Sequence, residues 1–271
     1  MYTGPDVLQA RGGDAPSESV LVLRDGLGGR VSAVERPFHF FGPSHIAALA
    51  LTALFSAVLV SLVRRDPDGG RARMIERSLG ALLLAALAVY TWLELATGDA
   101  TFWNFLPLHL CDMTIFVAIY ALFTRQRLAS EVLYFWAFSG AVLAIVTPDL
   151  GTEVPGRDYF FYFGLHAWVI AAAATLTLGA RLRPRRGAPV RVWLMTNAYA
   201  GVVAVVDIAF GQNYMYLAAP PERRSLLDWF GPWPVYILVC EAVTLALFAI
   251  LYVPVRAGRA AGRHPASGMR S

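Results

Sequence analysis

The chain has 271 residues, 57% hydrophobic and only 15% charged, with a formal net charge of +4. A soluble domain of this size carries nearer a quarter charged residues, which excludes an ordinary globular enzyme before any motif is read. All 23 basic residues are arginine. They crowd into short segments between long apolar runs, where topology signals and anionic-lipid contacts account for them, so no nucleic-acid partner is expected.

In chain order, Met1–Arg36 is rich in Gly, Arg, Pro and Ser and reads as a disordered tail, with no signal peptide. A helix crosses the hydrocarbon core with about 20 apolar residues. Seven segments qualify: Ser44–Val63, Arg77–Thr97, Phe102–Phe123, Ser130–Thr147, Tyr159–Ala180, Val190–Phe210 and Pro234–Val255. The expected fold is all-α, a polytopic bundle of seven transmembrane helices over residues 37–255, followed by a second disordered tail, Arg256–Ser271. Helix-entry chemistry marks several starts: Pro43-Ser44, Ser130 with Glu131, and Pro232 with Pro234.

Arginines set the orientation. The first-to-second connection holds Arg64, Arg65, Arg71, Arg73 and Arg77; the third-to-fourth holds Arg125 and Arg127; the fifth-to-sixth holds Arg181, Arg183, Arg185, Arg186 and Arg191. The alternate connections hold only Arg157, Arg223 and Arg224. The C-terminus is therefore expected in the cytoplasm and the N-terminus outside, in a multi-pass protein of the cell's inner (cytoplasmic) membrane.

Ionisable groups inside a bilayer are costly and mark function by default. With this orientation, Cys111 and Asp112 lie about 14–15 Å below the outer start of the third span; His109, His166 and Glu241 lie about 10 Å deep, and Glu94 and Asp207 about 5–6 Å. The expectation is one polar cavity opening outward, with the inner half nearly free of such groups. Pro107 fits a first helical turn, so the third helix itself is expected to begin there. That places Cys111 near a positive dipole end that favours thiolate, while Asp112 pulls the other way. His109 and Asp112, three apart, share a face on a regular helix, whereas Cys111 points about 160° from His109. A base for the thiol must then come from another helix, and His166 is the other histidine well inside a span. Asn104 and Asn213 are candidate oxyanion donors or, equally, helix caps. The segment Pro220–Pro234 is a candidate lid, and the two thiols, Cys111 and Cys240, give no disulfide framework.

FLPLHLCD at Phe105–Asp112, the His166 span after PDLGTEVPGRDYFFYF, and the stretch from Asn213 to Leu238 containing GPWP resemble the YwaF-like family of small bacterial integral membrane proteins. That family is similar to a eukaryotic seven-span acyltransferase family that remodels ether phospholipids. The likeness runs from about His39 to Val255. It implies a thioester mechanism with Cys111 as acyl carrier and His166 as base, membrane phospholipid or lysophospholipid substrates, and no cofactor. His109, Asp112, Asn104, Asp207, Asn213 and Glu241 are the candidate binding residues. The residues themselves leave two other classes open: a zinc-dependent membrane hydrolase using His109, Asp112 and His166 with Cys111 or Asp207, and a non-enzymatic transporter or sensory subunit with Asp112, Asp207 and Glu241 as relays. They do not give the oligomeric state.

Overall fold

The computed structural model describes residues 20–24, 30–34, 38–97, 102–151, 153–221 and 226–261. Within the N-terminal tail, β1 (Val20–Arg24) pairs antiparallel with β2 (Arg30–Val34), with Leu21 opposite Ala33 and Leu23 opposite Val31. The rest is helical: α1 (Pro43–Arg64), α2 (Gly70–Thr97), α3 (Leu110–Thr124), α4 (Arg127–Val146), α5 (Arg157–Gly179), α6 (Ala188–Phe210) and α7 (Val235–Ala261). Among the described residues, six of these are long and apolar enough to cross a membrane, the exception being α3. The protein is thus an all-helical, multi-pass membrane protein around a central pair. In α4 and α5, 56% of the apolar window is buried inside the bundle, against 11–17% in the other long helices. Leu51 and Leu54 on α1, Val202, Val205 and Ile208 on α6, and Leu238, Ile250 and Val253 on α7 face outward. In water such apolar faces would be costly, and in a bilayer they are solvated.

The third span departs from expectation. Instead of a helix over Phe102–Phe123, a single turn at Phe102–Phe105 leads through irregular chain to α3, which starts three residues beyond Pro107 with His109 as its N-cap (φ −68°, ψ 147°). At 1.5 Å per residue, 15 residues reach only about 22 Å, short of a core about 30 Å thick. Irregular backbone survives at membrane depth only where protein satisfies its polar groups. Here Tyr199 on α6 donates to the Leu108 carbonyl at 2.9 Å, the Tyr214 hydroxyl donates to the Trp103 carbonyl, and the Leu108 N–H donates to Leu106 O at 2.8 Å.

Both central helices contain a π-turn, at Ala137–Ala141 in α4 and at Thr175–Gly179 ending α5. Gly179 lies against α1, where an added Cβ would come within 3.1 Å of the Val63 side chain. At the last helix, α7 continues through Pro254 to Ala261, beyond the tail boundary expected at Arg256. The proline weakens the backbone ladder, and the Tyr134 hydroxyl of α4 donates to the nearby Leu251 carbonyl at 2.8 Å.

The arginine-rich end is not free of buried carboxylates, and this corrects the sequence reading. Glu76, with no exposed surface, accepts a two-pronged bond from Arg125 (Nε 2.8 Å, Nη2 2.7 Å); Arg125, in a left-handed conformation after α3, also reaches Pro67 O and Asp68. Glu131, 2% exposed, accepts from the Arg185 N–H (2.8 Å), Arg185 Nε (2.7 Å) and Arg185 Nη2 (3.1 Å), and lies 3.2 Å from Arg191 Nη2 as an ion pair. These two clamps tie the α1–α2, α3–α4 and α5–α6 connections together. The pairing with Glu76 holds the Arg125 guanidinium above its usual pKa, and so charged. Because charged hydrogen bonds to a buried acceptor are each worth about 1.5–3 kcal/mol, Glu131→Ala is expected to cost about 2 kcal/mol after allowing for the part-exposed arginines. The check is the thermal midpoint in detergent, which should fall by several degrees and recover in part in Glu131→Gln.

Candidate functional site

A cavity of about 210 Å³ opens between α2, α3, α4 and α5, at the end of the bundle away from the arginine clamps. Cys111, Asp112 and His166 all line it. Its other walls are Tyr90 of α2, Trp136, Gly140 and Ala141 of α4, and Asp158 and Tyr162 of α5. The π-turn contributes directly, since Gly140 and Ala141 lie within it and leave room where bulkier residues would close the wall. A Cβ on Gly140 would meet nothing within 4 Å.

Cys111 and Asp112 occupy the second and third positions of α3, where the backbone N–H groups have no partner within the helix. Asp112 stands at the third helical position, from which a capping-box carboxylate faces back toward the cap, here His109. Since His109 is the cap and not a helical residue, the regular-helix geometry expected of His109 and Asp112 does not apply. The His109 ring lies outside the cavity, where its Nδ1 accepts from the Met215 N–H at 3.3 Å beside Tyr214 and Tyr216. Both cysteines are free thiols, and Cys111 is exposed.

His166 is held by its own helix. Its Nδ1 lies 2.7 Å from the Tyr162 carbonyl, which can only accept, so Nδ1 carries a hydrogen. The Tyr162 ring packs against the imidazole at 4.5 Å, and the Tyr162 hydroxyl donates to Ala144 O at 2.9 Å. The remaining ring nitrogen, Nε2, is buried and has no protein partner among the described residues. A neutral imidazole in this tautomer presents Nε2 as a lone pair.

The remaining expected groups do not join this cavity. Asp207 is buried, with one oxygen accepting from the Tyr214 N–H at 2.9 Å. Glu241 accepts from Asn197 at 2.9 Å, linking α6 and α7, and Glu94 pairs with Arg157 at 2.8 Å. Asn213 folds its own loop, accepting from Ala218 and Ala219 N–H at 3.0 Å and donating to Ala219 O. The Asn104 side chain lies outside the described residues, as do residues 222–225 of the candidate lid. No three or more His, Cys, Asp or Glu side chains converge to hold a metal among the described residues.

Sequence reasoning missed Tyr162, the π-turn and His45. His45 is fully buried and pinned, Nδ1 accepting from the Phe41 N–H (3.0 Å) and Nε2–H donating to Ile145 O (2.7 Å), so it joins the start of α1 to the end of α4. Its signal was a histidine three residues after the helix-starting Gly42-Pro43, a position normally passed over as a surface cap.

These features define a polytopic membrane protein with a cysteine and a histidine facing one cavity inside its helical bundle. The chain belongs to the TMEM164 family, which matches residues 40–252. It is similar to an uncharacterized protein of Treponema pallidum (strain Nichols), 29% identical over 222 residues, covering 80% of this chain and 89% of that one. No solved structure matches it.

Because Gly140 faces empty space, Gly140→Leu should fill the cavity without a clash and keep the fold, helped by better helix propensity. In a Cys240→Ala background, alkylation of Cys111 by a small maleimide should slow at least about tenfold, a barrier rise of about 1.4 kcal/mol. An unchanged rate would place the reagent's path elsewhere.

Proposed function

We propose that this protein is a membrane-embedded acyltransferase that passes a fatty acyl group between phospholipids through a thioester on Cys111, with His166 as general base. One observation carries the reading: Cys111 and His166 line the same cavity, and the His166 Nε2 is buried with no partner among the described residues. A nucleophile and a base from different helices that share one cavity, with the base oriented by a third group, form the arrangement that covalent catalysis requires. Tyr162 is that third group.

The steps balance as follows. Nε2 takes the Cys111 proton; the sulfur attacks the ester carbonyl of a donor lipid; the C–O bond breaks, and the departing lysolipid alkoxide takes the proton from Nε2. An acceptor lysolipid hydroxyl then gives its proton to Nε2 and attacks the thioester, and the sulfur leaves and is reprotonated. The sequence candidates for an oxyanion donor were Asn104 and Asn213. Asn213 is engaged in its loop, and we assign the role to the first-turn N–H groups of α3, which lie at the positive end of the helix dipole, with Asn104 just before them in the chain as the other candidate. A cavity of 210 Å³ is below the usual size for a whole ligand, so it receives the reacting ester while the acyl chains remain between helices in the lipid. In this reading α3 and its irregular lead make a seventh crossing, the N-terminus is outside, and the arginine-rich end faces the cytoplasm of the inner membrane.

Incubation of the purified protein with phospholipid radiolabelled in its acyl chain should leave a hydroxylamine-sensitive label on Cys111. Cys111→Ala should carry none, and His166→Ala should acylate about 10²- to 10⁴-fold more slowly. Equal labelling of Cys111→Ala would contradict the mechanism.

A further inference from the structure

A lipid whose ester end lies in the 210 Å³ cavity of Cys111 leaves most of its length outside, so its chain must cross one of the cavity's walls. Three sides open onto more protein. On the α4 side, Trp136 is buried in a cluster with Phe135, Val192 of α6 and Phe248 of α7. Beyond α5, Tyr159 and Phe163 pack on Phe38 and Phe163 packs on His45 of α1. Between α3 and α4, Ala118, Ala121 and Leu133 are fully buried. The side made by α2 differs. Among the described residues it supplies one lining side chain, Tyr90, and the neighbouring Val89, Trp92 and Leu95 are exposed.

The half of α2 nearer the arginine clamps is packed shut. Leu79 and Leu83 are buried in one cluster with Leu122 of α3 and Leu176 of α5, and a Cβ on Gly80 would sit 3.0 Å from the Phe123 ring. Toward the other end, α2 and α5 meet through two side-chain pairs. The Tyr90 and Phe161 rings lie 5.2 Å apart, tilted by 55°. One turn further along each helix, Arg157 Nη2 donates to Glu94 Oε1 at 2.8 Å. Tyr90 and Phe161 line the cavity and are only half-buried, and Phe160 beside them is exposed. Neither pair locks the seam. The ion pair is part-exposed on both sides, where such pairs contribute little, and two rings can part by changing rotamer.

We propose that the α2–α5 seam, closed by Tyr90–Phe161 and Glu94–Arg157, is the port through which the fatty acyl chain of a membrane phospholipid enters the Cys111 cavity. The path is apolar from Val89 and Phe160 on the lipid side to Ile115 and Val169 within, which suits a hydrocarbon chain. The ion pair stands one turn nearer the end of the bundle, on the side of the polar headgroup. The choice of occupant rests on the acyltransferase reading, and the port adds which two helices must part and which four side chains hold them together.

The test uses the full chain with Cys111→Ala and Cys240→Ala, which forms no thioester, in phosphatidylcholine bilayers holding a phospholipid with a diazirine beside its acyl carbonyl. Irradiation should place adducts on Ile115 and Val169, which are buried and face the cavity, out of reach of lipid around the bundle. Adding Glu94→Cys and Arg157→Cys and joining the two thiols with a short bifunctional reagent should lower that yield at least about tenfold, by holding the seam shut. The reference is the same protein with each thiol capped singly, and adducts on the outward faces of α6 and α7 should not change. Phe161→Ala, which removes the ring contact, should raise the yield about threefold, and it decides alone should the double variant fail to fold or to bridge. Equal yields in bridged and singly capped protein, an unchanged yield in Phe161→Ala, or no adducts on Ile115 and Val169 would overturn the port. The catalytic reading is judged separately, by the hydroxylamine-sensitive label on Cys111 in the unaltered chain. Bridge-sensitive adducts without that label uphold the port and contradict the thioester; the label with bridge-insensitive adducts does the reverse.

Discussion

Hydrocarbon offers no hydrogen-bond partner, so every backbone amide that enters the bilayer must find one within the protein. Long helices do this automatically. The segment leading into α3 does not, because Pro107 has no N–H and the chain from Leu106 to His109 is not helical. Carbonyls here are met from outside the segment, by Tyr199 of α6 and by Tyr214 of the loop that follows it, while the Met215 N–H of that loop holds the His109 ring. Those bonds hold the N-terminus of α3 inside the bundle instead of at its surface. A helix start placed there brings unpaired N–H groups, a positive dipole end and, at its second residue, Cys111 to a position that a continuous span would never expose.

The two ends of the bundle are built on different principles. At the arginine-rich end, Glu76 and Glu131 are buried and saturated, so three connections are drawn together by charge-assisted bonds. At the other end the part-exposed Glu94–Arg157 pair is joined by bonds from aromatic hydroxyls and an indole N–H to backbone carbonyls. Tyr236 on α7 donates to Tyr216 O, and Trp233 donates to Leu217 O at 3.0 Å. Between these ends, α4 and α5 carry the core, and each gives up regular hydrogen bonding at a π-turn. The turn in α4 forms one wall of the Cys111 cavity, in keeping with the usual occurrence of π-bulges at sites, and the turn in α5 seats the connection that carries Arg181 and Arg183.

Much of this was legible in the sequence because apolar length is a one-dimensional signal. The Ser44–Val63 and Val190–Phe210 segments match α1 and α6 within a residue or two, since nothing but the hydrocarbon thickness decides them. The third segment was legible only in part: Pro107 pointed to a helix start there, and α3 begins three residues later, because FWNFLPLHLCD is mostly apolar and hydropathy does not distinguish a helix from an irregular segment tied down by distant tyrosines. Depth along the helix drew attention to Cys111, Asp112 and His166, which line one cavity. It also grouped Asp207, Glu241 and His109, which sit at comparable heights on other faces and find local partners there. Height is readable from a count of residues; azimuth depends on how helices pack. Glu76 went unnoticed and Glu131 was read only as helix-entry chemistry, because each stands near a helix end, where a carboxylate is ordinarily solvated.

The central claim is that Cys111 and His166, on separate helices, face each other across one cavity, and it is tested most directly by joining them. In a Cys240→Ala background, His166→Cys adds a thiol to the one at position 111, and a short bifunctional thiol reagent reports whether the two can meet. A single intramolecular cross-link in the membrane, absent when the second thiol is placed instead at the outward-facing Phe160, is the result expected. Two independently modified thiols with no bridge between them would contradict it.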